Sequence, residues 1–236
     1  AAGLDDVDIP DVGGVGTGWT FLASAEIYDP ATARFTATGS MRELRESHVA
    51  VRLPDGRVLV AGGHRGRGAA IVISRTAEVF DPATGRFDPV SPMDVRRHKH
   101  DAIALADGRV LILGGADERD NDGAYTSVEV FDPATGRFAM AAPLRMSRYK
   151  HRGTTFRVPG GGLLVAGGAA RAEEYDPASG EGRILDGEAT LAGQFSAAAV
   201  LPGGRILVTG GYGDGKGPGP TAWIYDQDSG RGAPHP

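Results

Sequence analysis

The chain has 236 residues, of which 41% are hydrophobic and 23% charged, with a formal charge of −5, 37 glycines and no cysteine. The lack of cysteine excludes disulfides and thiolate metal centres, and the acidic balance argues against a general nucleic-acid binder. No apolar run approaches the roughly 20 residues that a membrane helix needs, and glycine at about twice its usual share of roughly 7% points to many tight turns.

In chain order, the first marker is a glycine doublet, Gly13-Gly14, followed by "AEIYDPATARF" at 25–35. The next stretch spells a whole four-strand unit. "HVAVRL" (48–53) is a short strand, "PDGR" a turn, and "RVLVAGG" (57–63) an almost wholly apolar return strand that should be buried on both faces. After the variable stretch "HRGRGAAIVIS" come "TAEVFDP" (76–82) as third strand and "RFDPV" (86–90) as fourth. Between these last two, Asp81 can accept from backbone amides two residues on, Pro82 presets its φ, and Gly85 supplies a positive one. Asp55-Gly56 and Asp107-Gly108 have the composition of two-residue hairpin turns, with Gly160-Gly161 and Gly203-Gly204 in the same place later.

The hairpin recurs as "VEVFDPATGRF" (128–138), "AEEYDPASGEG" (172–182) and "AWIYDQDSGRG" (222–232). Its aromatic stands at Tyr28, Phe80, Phe131, Tyr175 and Tyr225, at spacings of 52, 51, 44 and 50 residues. The doublets Gly13-Gly14, Gly62-Gly63, Gly114-Gly115, Gly167-Gly168 and Gly210-Gly211 interleave with it at 49, 52, 53 and 43. Two independent markers thus agree on five units with a period near 50 residues, which predicts a propeller or a related repeat array. No segment has a sustained helical period, so the predicted fold class is all-β, built from four-stranded antiparallel sheets.

At these residues the chain resembles the kelch repeat, as found in bacterial kelch proteins and in the central propeller of galactose oxidase. That family pairs an apolar run ending in Gly-Gly with a Tyr and a later aromatic. Here the pairs are Tyr28 with Phe35, Phe80 with Phe87, and Phe131 with Phe138, while Gly182 and Gly232 replace the second aromatic in the last two units. The resemblance implies one kelch β-propeller domain over 1–236, with units at 1–42, 43–93, 94–144, 145–188 and 189–236. No clear first strand precedes "VDIPDVGG", and the chain stops soon after the third strand of unit five. Five blades, closed by the two termini in one sheet, are expected; part of a six- or seven-bladed ring is the alternative. Many bacterial chains with such repeats are secreted or surface-attached, so export is the expected localisation.

In such a propeller the connectors between blades share a face with the variable loops, where binding residues usually sit. The connector "SPMDVRRHKHD" (91–101) carries Arg96, Arg97 and Lys99 against Asp94 and Asp101, and "PLRMSRYKHRG" (143–153) carries Arg145, Arg148, Lys150 and Arg152 with no acid. "GSMRELRESH" (39–48) is neutral, and "DGEATLAGQFS" (186–196) is acidic. A face presenting Arg96, Arg97, His98, Arg145, Arg148, Tyr149, Lys150 and His151 would attract an anionic small molecule, a glycan or an acidic protein surface. Arg45 and Arg97, each three residues before a His, also fit a structural pattern of the repeat.

Aligned on the glycine doublets, His48, His100, Gly153 and Ser196 share one place, and Glu46, His98, His151 and Gln194 another. His98, His100 and His151 could then converge on copper, iron or zinc as a metal-dependent enzyme at the channel mouth, or simply line a wet channel. In galactose oxidase the copper is held by Tyr and His, with a Tyr crosslinked to a Cys; with no Cys, that cofactor cannot form here. "ERDNDGAYTSVE" (118–129) nearly matches a calcium loop through Glu118, Asp120, Asp122, Gly123 and Glu129. Glu129, however, is the recurring strand glutamate of Glu26, Glu78 and Glu173, and a solvated acidic loop is the alternative. The glycines of "GYGDGKGPGP" (211–220) read as a mobile loop. Ser47, Ser147 and Ser196 lie near histidines with no Asp placed to orient a base. A scaffold propeller without ligand completes the set of readings.

Overall fold

The computed structural model describes residues 11–185, 193–212, 222–226 and 231–234. The expectations for 186–192 and for the glycine-rich loop at 213–220 lie outside the described residues. The fold is all-β. The first sheet runs β1 (Asp11–Val12), β2 (Ala25–Asp29) and β3 (Arg34–Ala37). The second holds β4 (Val49–Arg52), β5 (Val58–Ala61), β8 (Ala77–Asp81) and β9 (Arg86–Pro89), with a two-stranded ribbon, β6 (His64–Arg65) and β7 (Val72–Ile73), in its loop. The third holds β10 (Asp101–Ala104), β11 (Val110–Leu113), β12 (Val128–Asp132) and β13 (Arg137–Ala141). The fourth holds β14 (Thr155–Arg157), β15 (Leu163–Val165), β16 (Glu173–Tyr175) and β17 (Gly182–Ile184), and the fifth β18 (Ala197–Val200), β19 (Ile206–Thr209), β20 (Ala222–Asp226) and β21 (Arg231–Pro234). Each four-stranded sheet keeps chain order. The fifth gains a fourth strand that its sequence hid, with Gly232 paired opposite Tyr225.

The chain divides into two compact units. One comprises Ala1–His98, Ala104–Leu111 and Val130–Ala139; the other comprises Lys99–Ile103, Ile112–Glu129 and Met140–Pro236. In the first unit, Val58, Val60, Phe80 and Phe87 of the second sheet pack with Val12, Ala25 and Met41. In the second unit, Leu164, Ala172 and Leu185 pack with Ile206, Val208, Trp223 and Tyr225 of the fifth sheet. Each core is sheet on sheet, and each large apolar side chain buried in it is worth about 1.5–3 kcal/mol. The apolar second strands β5, β11 and β15 are buried throughout, as their unbroken hydrophobic runs require.

The turns follow the sequence with one correction. Leu53 N donates to Arg57 O and Gly56 N to Leu53 O, so Pro54-Asp55-Gly56 is a three-residue loop, not the two-residue turn expected. The same pair of bonds closes 105–109, 158–162 and 201–205. This is the type I turn with a bulge that right-handed strand twist also accepts. In the second hairpin, Ala83 N donates to Asp81 Oδ1 at 2.8 Å and Gly85 N to Asp81 O, with Gly85 at φ +67°. Ala33 holds the same left-handed place at φ +52°, where its Cβ is disfavoured. Tyr28–Phe35, Phe80–Phe87 and Phe131–Phe138 stack at 4.9, 4.7 and 4.9 Å between ring centroids. Opposite Tyr175, Gly182 instead leaves room for the Arg145 side chain, whose Nε donates to Gly182 O.

Candidate functional site

The arginine three places before His48, His100 and His151 is buried in each case. Arg45 Nη2 meets Glu78 Oε1 at 2.9 Å while its Nη1 donates to Gly62 O, and Arg42 N donates to Glu78 Oε2. Arg148 repeats the pattern, with Nη2 on Glu173 Oε2 at 3.1 Å, Nη1 on Gly167 O, and Arg145 N and Met146 N on the same carboxylate. Both side chains of that pair have no exposure. The strand glutamate thus ties a connector to its sheet through charge-assisted bonds. In the sequence the glutamates and the arginines recur separately, and the match between their recurrences is the signal for this pairing. Arg97 is fully buried at the same register.

The glycine doublets hold the histidines. A Cβ on Gly114 would sit 2.9 Å from His151 Nε2, and one on Gly63 2.9 Å from His48 Cβ. Backbone conformation fixes the alignment between units: Ser47, Lys99, Lys150 and Phe195 are all left-handed, at φ 54–57°. His151 therefore corresponds to His48 and His100, not to His98. Alignment on the doublets misplaced it because Arg152 and Gly153 are inserted before β14, in a turn held by Asp101 through Gly153 N and Thr154 N.

These facts redraw the predicted site. Arg97, Arg148, Tyr149, His98, His100 and His151 are buried, so they do not form the open cationic face expected of them; Arg145 is exposed, and its Nε donates to Gly182 O of β17. Arg96 is exposed. His151 Nε2 donates to Leu113 O at 3.1 Å. In the first unit His98 pairs with His64, Nδ1 to Nδ1 at 3.2 Å, and His64 Nε2 lies 3.6 Å from Glu46 Oε2. Among the described residues no group of three His, Asp or Glu side chains gathers for a metal, so the set His98, His100 and His151 does not assemble. In the acidic loop, Lys99 Nζ binds Asp120 Oδ1 at 2.6 Å, where calcium was the alternative, and Asp122 points to solvent. No helix among the described residues is long and apolar enough to cross a membrane.

What the second unit does bring together is a ladder of left-handed residues. Lys150 N donates to Lys99 O and Phe195 N to Lys150 O, each at 2.7 Å. The Lys150 ammonium lies 4.8, 5.2 and 5.6 Å from the ring centroids of Tyr149, Phe195 and Tyr212, and donates to Tyr212 Oη at 3.3 Å. Burial opposes its charge, but the two tyrosine hydroxyls outweigh burial and raise its pKa above the ordinary lysine value. Among the described residues no carboxylate faces it. Phe195 and Tyr212 are 58% and 37% exposed, 5.5 Å apart, and beside them Gln194 Nε2 donates to Asn121 Oδ1. Of the residues predicted from sequence, Lys150 and Tyr149 belong here; Phe195, Tyr212, Gln194 and Asn121 were missed.

Comparison with known families agrees with the blades. The family model for the kelch motif matches residues 47–94, one full sheet with its connectors. Residues 47–94 thus carry a kelch motif. It is similar to Kelch-like protein 34 of Homo sapiens, 29% identical over 139 residues that make up 58% of this chain and 21% of that protein. It is also similar to Kelch-like protein 36 of Rattus norvegicus, 30% identical over 118 residues, or 48% of this chain and 18% of that protein. The chain spans about a fifth of the length of the curated relatives it matches. In kelch terms the Arg–Glu struts and glycine doublets are the repeat's frame, and the ladder residues are where one blade's chemistry departs from the next.

Proposed function

We propose that this kelch chain is a binding module and that its ligand is anionic, a carboxylate-bearing molecule or surface received at Lys150. One observation carries the reading: a protonated lysine, partly buried among three aromatic rings, with no carboxylate beside it among the described residues. An acid in that place would gain a charge-assisted bond, strengthened by the reduced local dielectric. The kelch motif at 47–94 and the similarity to Kelch-like proteins support the broader reading of an interaction module. Arg152, exposed two residues on, adds positive charge to the same connector.

The test is titration of the intact chain with poly-L-glutamate and with short glucuronate oligomers in 50 and 300 mM salt. Binding of at least one of them that weakens as salt rises and fails in Lys150→Met is the expected result. Binding unchanged by salt and by that substitution would reject the proposal.

A further inference from the structure

We infer that the ladder face of the second unit is a glycan subsite selective for a sugar acid. This rests on the anionic reading of Lys150 and goes further by naming the ligand class. The backbone at this face is already engaged. Lys150 N and O are both used, by Lys99 O and Phe195 N, and Gln194 and Tyr212 exchange both of their backbone bonds with each other. These described backbone groups are therefore not open to an extended peptide, which usually docks on β structure by joining a ladder of amides and carbonyls. Recognition at these residues falls to their side chains.

Those side chains are two exposed rings, two planar amides and one ammonium. Phe195 and Tyr212 lie 5.5 Å apart at an interplanar angle of 36°, forming a shallow apolar platform. A pyranose presents a face of C–H groups that such rings cover, while its hydroxyls stay at the rim. Gln194 and Asn121, already bonded to each other at 3.3 Å, are pre-oriented and keep donors and acceptors for hydroxyls. Lys150 Nζ donates to Tyr212 Oη at 3.3 Å and lies 5.2 and 5.6 Å from the Phe195 and Tyr212 ring centroids, so a carboxylate on a sugar held by those rings would reach it. A neutral sugar would use the rings and amides and leave the ammonium unpaired; a uronate uses all three. The ligand class is thus a hexuronate residue, free or within an acidic polysaccharide.

Calorimetric titration of the intact chain with a glucuronate oligomer, the same oligomer after carboxyl reduction, and octaglutamate decides it. The expected result is glucuronate binding at least about tenfold tighter than the reduced oligomer, a difference of one charge-assisted bond. Lys150→Met should erase that difference while leaving the residual affinity for the reduced oligomer, and Phe195→Ala should weaken both sugars. Because Phe195 is exposed, its loss leaves the fold intact, checked by an unchanged melting temperature. Equal affinity for the acid and the reduced oligomer would overturn the inference. Binding of octaglutamate alone would overturn it while sustaining the anionic reading of Lys150, and no binding of any of the three would overturn both.

Discussion

Arg148 and Lys150 stand two residues apart in one connector and do opposite work. Arg148 is fully buried against Glu173 and the carbonyls of Gly167 and Arg171, and it has a counterpart in Arg45 with Glu78. Lys150, in the same connector, lies among rings and, among the described residues, has no carboxylate beside it. Both would be counted as positive charge in a sequence. The difference shows that net charge in a connector measures two things: cations consumed in holding the blade and cations left for a partner.

Breaking the strut should give the largest effect. Arg148→Met leaves the Glu173 carboxylate buried without its guanidinium, and urea unfolding should register a loss of about 3–5 kcal/mol. The double variant Arg148→Met/Glu173→Met should recover much of that loss; if it does not, the arginine's bonds to carbonyls, not its charge pairing, hold the connector. Next in size is a gain. Ala33→Gly at φ +52° should stabilise the chain by about 1 kcal/mol, because it relieves a left-handed alanine where the equivalent place at Gly85 is already glycine. A lower melting temperature would contradict this account of the turn. Lys150→Met should then change stability by no more than about 0.5 kcal/mol while abolishing salt-sensitive binding, the reverse of the Arg148 profile. Comparable destabilisation by the two substitutions would merge what the comparison separates.

The mildest effect concerns pH. Side-chain and backbone hydrogen bonds lower the pKa of Asp29 and Asp176 in the hairpins, and the Arg57 and Arg109 side chains lower those of Asp55 and Asp107. Groups depressed in the folded state contribute stability above their unfolded value of 3.8, and lose it as pH falls through the folded value. The contribution of these four aspartates to the melting temperature should therefore be lost as pH falls below about 4. A drop already complete at pH 5 would point to other groups.

The repeat was legible because it is local. "FDPATGRF" encodes its turn through Asp81, Pro82 and Gly85, and an apolar run such as "RVLVAGG" can only be an inner strand. The site was legible only in part. Lys150 and Tyr149 were found from the charge of their connector, while Phe195 and Tyr212 lie 45 and 62 residues beyond Lys150 with no shared motif. The two inserted residues, Arg152 and Gly153, also shifted the alignment, so that His151 was matched to His98 and Phe195 was not matched to Lys150.

By itself, then, the sequence determined the all-β class, the strand order within each unit and the hairpins, because those depend on the period of apolar residues and on the φ preferences of a few turn residues. Tertiary structure decided which arginines disappear into Glu pairs, which histidines pack against glycine doublets, and which side chains surround Lys150. Those outcomes depend on which loops from different sheets meet, and a side chain's burial and partners are properties of that meeting, not of its own stretch of chain.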